Sequence, residues 1–230
     1  MRIVILQPSF LPWRGYFHQI YKADTFVFYD DVQYDKRGWR NRNKIKTPGG
    51  AEWLTVPVES GGKYLQLIKD AKIDNTQDWR RKQLNAIQYN YHKAPFYNEY
   101  INFFNDIYSR NWDNICELDM YTTKEISKFL GINTRFIKSS EFASAGKKTD
   151  RLINICKHLG ATHYLSGPAA QDYIEKEKFE NNNIVLEYQE YNYTEYPQVY
   201  GKFEPYVSII DLLFNCGPES WKHIWGKKCL

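Results

Sequence analysis

Two short apolar runs separated by one helical stretch open the chain, and this spacing constrains the fold more than any other feature. Ile3-Val4-Ile5-Leu6 and Phe26-Val27-Phe28-Tyr29 have strand length. Between them lie the turn-rich segment Gln7 to Tyr16 and a helix-like stretch ending near Ala23. The alternation returns in the second half. Thr134–Lys138 reads as a strand, and Thr149 or Asp150 caps a helix through Ile153, Cys156 and Leu159 that stops at Gly160. Thr162–Leu165 is a strand running into Ser166-Gly167-Pro168, Ala169–Ile174 reads as helical, and Ile184–Tyr188 closes the series as a strand.

Strands alternating with helices predict an α/β protein with a parallel-sheet, Rossmann-like three-layer core. Asn43–Thr47 and Glu52–Val58 flank Pro48-Gly49-Gly50 and predict a β-hairpin. Residues 76–131 are helical in period and read as an insertion or flank. Trp79, Leu84, Ile87 and Tyr91 mark the first helix there, and Phe96, Tyr100, Phe103, Phe104 and Ile107 the second. Ile115, Leu118, Ile126, Phe129 and Leu130 form the inward face of the third, which ends at Gly131. Ser208 caps a last helix, Ile209–Asn215, with Asp211 at capping-box spacing, before Gly217-Pro218. With no linker or repeat in view, residues 1–230 are expected to form a single α/β domain.

Composition narrows the function classes. A hydrophobic content of 43% supports a real core, and a net charge of +4 is too mild for a duplex-binding module, so no nucleic-acid partner is expected. Anionic small molecules remain compatible. The 19 Tyr, 13 Phe and 7 Trp suit core edges and ligand-facing surfaces, and equally fit an A/T-rich codon bias. Cys116, Cys156, Cys216 and Cys229 lack CxxC spacing, so no metal site is expected and the thiols read as reduced. The N-terminus opens on a strand with no signal peptide, and no apolar stretch reaches eighteen residues. A cytoplasmic protein without a transmembrane segment is the expectation.

Four segments carry more chemistry than packing requires. Gln7 to Tyr16 feeds a helix N-terminus, with Gly15 allowing close backbone approach, but has no phosphate-loop motif. Its plainer reading is an aromatic corner. Asp30-Asp31-Val32-Gln33-Tyr34 puts two carboxylates at a strand end, where one could act as a base or hold a hydroxyl. Its plainer reading is a solvated strand terminus. Lys36-Arg37-Gly38-Trp39-Arg40-Asn41-Arg42-Asn43 mixes cations with a stacking ring, suited to phosphate or carboxylate recognition, or to a charge-protected edge strand. Tyr164-Leu165-Ser166-Gly167 is a second strand-to-helix turn, opening on the same side as the first in a parallel sheet.

Together with Tyr196-Pro197-Gln198 and Ser208-Ile209-Ile210-Asp211-Leu212-Leu213-Phe214-Asn215, these segments resemble the WbqC-like protein family over nearly the whole chain. The block from Asp30 to Asn43 is the most specific part. Family members occur among bacterial genes for O-antigen and other surface polysaccharides. The resemblance implies a transferase that modifies an amino sugar by N-acyl or aminoacyl transfer, with a nucleotide-linked amino sugar as partner. The donor is open: a carrier-protein thioester, an acyl-CoA or ATP with an amino acid, so that an acyl or aminoacyl carrier protein is a further candidate partner.

On this reading Lys36, Arg37 and Arg42 hold the diphosphate, and Trp39 or Tyr16 stacks on a ring. Asp30 or Asp31 accepts the amine proton. Gln7 and Ser166 orient the substrate or donate to the oxyanion. Gln33, Asn43 and Gly167 complete the binding set. Two alternatives stand beside it. A nucleotidylyltransferase would place Mg²⁺ near Asp30 or Asp31, although Trp13-Arg14-Gly15-Tyr16 lacks both histidines of the HxGH motif of such enzymes. A non-catalytic sugar-nucleotide or carrier-binding module would need no nucleophile–base pair. The turns after the strands at 3–6, 25–29 and 162–165 are expected to open into one cleft lined by Gln7, Tyr16, Asp30, Asp31 and Ser166, with Lys36, Arg37 or Arg42 at its rim.

Overall fold

The computed structural model describes residues 1–226. In chain order its elements are β1 (Arg2–Leu6), α1 (Arg14–Lys22), β2 (Thr25–Phe28), β3 (Arg42–Thr47), β4 (Gly50–Thr55), α2 (Trp79–Tyr91), α3 (Tyr97–Ser109), α4 (Ile115–Phe129), β5 (Arg135–Lys138), α5 (Lys148–His158), β6 (His163–Ser166), α6 (Lys176–Glu180), β7 (Val185–Tyr188) and α7 (Ile209–Cys216), with short 3-10 turns between them.

Five strands form one sheet in the order β5-β2-β1-β6-β7, and every pairing is parallel. The chain steps outward from β1 to β2 and β5, then returns to the centre and steps outward through β6 and β7. The direction of stepping reverses between β1 and β6, which is where open α/β sheets hold their ligands.

Side-chain alternation along the central strands builds a core on each face. Val4, Phe26 and Phe28 join Phe17 and Ile20 of α1 and Leu212 and Phe214 of α7. Ile3, Ile5 and Val27 face the opposite way and meet Ile155 and Cys156 of α5 and Phe179 of α6. Strands covered on both faces must be apolar at every position, which explains the unbroken runs in β1 and β2. Ile87, Tyr91, Phe104, Ile107, Leu118 and Ile126 of α2–α4 join the first core. The α/β Rossmann-like architecture and the separate antiparallel β3–β4 hairpin are as the sequence predicts.

Several local expectations change. Phe129 is 40% exposed and packs edge-on against Tyr100 and Phe103 at the helix surface. Neither Thr149 nor Asp150 caps α5, which begins at Lys148; Thr149 Oγ1 instead accepts from Glu175 N at 3.2 Å. The segment predicted helical at 169–174 is a 3-10 turn, Pro168–Asp172. Ser208 does cap α7, accepting from Ile210 N at 3.4 Å, but the Asp211 carboxylate turns away from the cap into the core. Cys116, Cys156 and Cys216 are buried free thiols, and Cys229 lies outside the described residues.

Candidate functional site

A cavity of about 660 Å³ opens at the C-terminal ends of β1 and β6, where the strand order reverses. Gln7, the first residue after β1, and Ser166, the last of β6, stand on its floor. Trp13, Tyr16 and Gln19 come from α1 and the residue before it, Trp39 and Arg40 from the approach to the hairpin, Asn43 from β3, and Gln189, Tyr193 and Tyr206 from the irregular chain between β7 and α7.

Short-range bonds hold this lining in place. Arg40 Nη1 donates to Gln7 Oε1. The Tyr16 hydroxyl donates to the Gln7 carbonyl at 3.1 Å, and burial pushes its pKa far above the usual phenol value. Asn43 Nδ2 donates to Leu11 O at 2.8 Å and Phe10 O at 3.3 Å, pinning the proline-bearing turn to β3. Gln189 Nε2 donates to Gly15 O at 2.8 Å and meets His18 Nδ1 at 2.9 Å, while its Oε1 accepts from Gln19 Nε2 at 2.8 Å. Burial holds the His18 pKa down at about 4, so its imidazole is neutral at pH 7 and Nδ1 is the acceptor. The Trp13 and Tyr193 rings stack at 5.3 Å to form one wall. Arg14 lies behind that wall, with its guanidinium 5.2–5.8 Å from the rings of Tyr191, Tyr193, Tyr196 and Phe203.

The structure brings Gln7, Tyr16, Trp39, Asn43, Ser166 and Gly167 together around the cavity. It does not bring the remaining predicted residues there. Gln33 is exposed and donates to Tyr64 O at 2.9 Å. Lys36 and Arg37 are exposed on the loop before Trp39. Arg42 lies over the Trp53 ring, 4.6 Å from its centroid. Asp30 is buried and accepts from Ser139 Oγ at 3.1 Å, Ser140 N at 3.0 Å and Ser140 Oγ at 2.6 Å. Asp31 forms an ion pair with Arg151 and accepts from Ser139 Oγ.

The expected three-turn cleft is therefore built by two turns, those after β1 and β6. The turn after β2 carries its carboxylates toward the turn after β5, its neighbour on the other side. Only Tyr29 of that turn reaches the cavity. The cations that line the cavity are the half-buried Arg40 and the exposed Lys148, not Lys36, Arg37 or Arg42, because β3 starts at Arg42 and the hairpin face carries that side chain onto Trp53.

Arg40, Lys148, Trp13, Gln19, Gln189, Tyr193 and Tyr206 line the cavity without having been singled out from the sequence as binding residues. Arg40 had a signal in the cationic run. Gln189, Tyr193 and Tyr206 sit in chain with no period to read. Arg40 and Lys148 are the charged side chains lining the cavity among the described residues, and no carboxylate lines it. Among the described residues, no three or more His, Cys, Asp or Glu side chains gather as a possible metal site. No helix among them is long and apolar enough to cross a membrane.

The model of the WbqC-like protein family matches residues 7–223. An uncharacterized protein of Mycobacterium tuberculosis (strain ATCC 25618 / H37Rv) is 41% identical over 221 residues, covering 95% of this chain and 95% of its own. No solved structure matches the chain.

Proposed function

The chain belongs to the WbqC-like protein family, and from that premise we propose that it is a transferase modifying a nucleotide-linked amino sugar, by N-acyl or aminoacyl transfer, for O-antigen or another surface polysaccharide. The observation that carries this reading is the charge of the cavity: Arg40 and Lys148 without a lining carboxylate, at the strand-order reversal. Such a site favours an anion, and a volume of about 660 Å³ suits a ligand larger than a simple sugar. In this reading Arg40 and Lys148 take the diphosphate, and Trp13, Trp39, Tyr193 and Tyr206 supply ring faces for the base and sugar.

The transfer forms a nitrogen–carbon bond between the sugar amine and the acyl carbon. It breaks the carbon–sulfur bond of a thioester, or the carbon–oxygen bond of an ATP-activated acid. The amine proton ends on the leaving group. Gln7 and Ser166 face the space where the oxyanion would develop. The bond from Arg40 to Gln7 Oε1 orients the amide so that its Nε2 hydrogens serve the ligand. Asp30 and Asp31 are assigned to holding the turn at Ser139 and Ser140 and the Arg151 side chain, in place of the base role.

Thermal-shift screening with nucleotide sugars, followed by mass spectrometry with a carrier thioester, an acyl-CoA or ATP plus an amino acid, tests the proposal. A stabilising nucleotide sugar that gains an acyl mass with one donor supports it. No stabilisation by any nucleotide sugar sinks it. Alanine at Asp30 and at Asp31 should spare binding; a loss of turnover of about 10²–10⁴-fold without a loss of stability would restore the base role. A non-catalytic binding module is favoured by one observation, the lack of any carboxylate lining the cavity. Binding without product across all three donor classes would select it.

A further inference from the structure

Asp119 sits in the middle of α4 with no exposed surface, and neither carboxylate oxygen has a hydrogen-bond partner. An apolar residue there would avoid the cost of burying a carboxylate. Two of its buried polar neighbours on the same helix behave differently: Thr122 Oγ1 donates to Leu118 O at 2.9 Å and Ser127 Oγ to Thr123 O at 2.8 Å, whereas the buried Thr123 hydroxyl, one turn after Asp119, also has no partner. Asp119 has no such outlet, because an ionised carboxylate only accepts.

The groups that interact electrostatically with Asp119 come from three elements. They are Arg40 and Tyr34 from the loop between β2 and β3, Tyr16 from α1, and Cys116 one turn earlier on α4. Arg40 Nε and the Tyr34 hydroxyl are themselves buried without a hydrogen-bond partner. Two residues with orphaned donors thus interact electrostatically with a carboxylate whose two oxygens are both orphaned. Tyr16 and Arg40 also line the cavity, and Arg40 reaches Gln7. Asp119 itself does not line the cavity.

We propose that Asp119 is a positioning residue for the cavity: as the buried counter-charge of Arg40, whose guanidinium reaches Gln7, it sets how much of that positive charge the ligand meets. The inference rests on the anionic-ligand reading of the cavity. Burial raises the Asp119 pKa well above the carboxylate range, while Arg40 pulls it down. Protonated Asp119 leaves the Arg40 charge to the ligand, and ionised Asp119 offsets it. An anionic ligand and the Asp119 charge therefore compete for the same guanidinium.

The test uses the full chain and its Asp119→Asn variant, with UDP-N-acetylglucosamine and dTDP-glucose as probes. The diphosphate diester of both stays doubly ionised throughout the range. Wild-type affinity by calorimetry should fall about tenfold as pH rises above the ordinary carboxylate range and Asp119 ionises, while the variant stays high and flat. Parallel profiles in the two proteins overturn the proposal while leaving the anionic-ligand reading intact. Absence of binding by either probe to either protein counts against that reading, and a second measurement then decides the proposal. Without ligand, a carboxyl with a raised folded pKa costs the fold stability from its unfolded pKa upward, so the wild-type melting temperature should drop relative to Asp119→Asn as pH rises above about 4. A constant difference between the two proteins overturns the role of Asp119.

Discussion

Arg40 donates to the side-chain oxygen of Gln7, a residue 33 positions earlier, and so ties the approach to the hairpin onto the first residue after β1. This bond crosses from the loop that carries Arg40, one of the two cations lining the cavity, to the turn that follows β1. It makes the two residues one unit, in which each orients the other's polar group.

Alanine at Arg40 should therefore act twice, removing the charge and releasing Gln7. A charged hydrogen bond is worth about 1.5–3 kcal/mol, so affinity for a nucleotide sugar should fall by about 10–100-fold. Gln7→Ala should lose less, because Arg40 keeps its charge. Titration calorimetry on both variants checks the order, and equal losses would show that the charge contributes nothing of its own.

Gly15 is required by space. A Cβ there would lie 1.9 Å from the Trp13 ring, which is already stacked on Tyr193. The ring cannot retreat without breaking the cavity wall. Gly15→Ala should cost about 1–3 kcal/mol in denaturant unfolding and shift tryptophan fluorescence as Trp13 moves. An unchanged emission spectrum with full stability would show that the ring has another place to go.

The sheet was legible because period and length gave each strand separately, and the parallel order follows from helices between strands. The site was half legible for the same reason. Gln7 and Ser166 end central strands on either side of the reversal, so their meeting follows from topology. Asp30 also ends a strand, but the sequence does not say which neighbour its turn leans toward, and it leans to β5. Tyr193 and Tyr206 could not be placed, since chain held by side-chain bonds has no period. Asp211 illustrates the same limit: its spacing from Ser208 read as a local cap, while its partners lie 13 to 120 residues away.

The pH profile of stability should carry the mark of His18. Its folded pKa of about 4 lies below the ordinary value of 6.5. Between those values the unfolded chain binds more protons than the folded one, so stability rises with pH through this window and is lost as pH falls. The contribution is about 2 kcal/mol after allowing for the partial exposure of the ring. His223, also lowered by burial, acts in the same direction. His18→Gln should keep a polar contact with Gln189 but not titrate. Its stability gap to wild type, measured by urea unfolding at pH 7 and pH 4, should change by about that amount. A constant gap would show that His18 has the same pKa in the folded and unfolded states.

Asp211 pins the irregular chain that carries Tyr193 and Tyr206. Its carboxylate accepts from Tyr91 Oη at 2.9 Å, Tyr196 Oη at 2.8 Å and Gln198 Nε2 at 2.8 Å. Gln198 Oε1 in turn accepts from the buried Lys46 Nζ at 2.9 Å. One side chain of α7 thus joins α2, the hairpin and the irregular chain that carries the wall. Removing it leaves the Tyr91 and Tyr196 hydroxyls buried without their acceptor and takes one acceptor from the Gln198 amide, a loss of about 3–5 kcal/mol. Asp211→Asn keeps one acceptor oxygen but adds a donor among donors, so it should recover only part of this. The loss should be local before it is global: limited proteolysis of Asp211→Ala should cut first between residues 191 and 207, at protease levels that leave wild type whole. Nucleotide-sugar affinity should fall with it, since Tyr193 and Tyr206 leave the cavity together. A variant that loses stability yet is cut first elsewhere would show that the carboxylate serves the core without holding the wall.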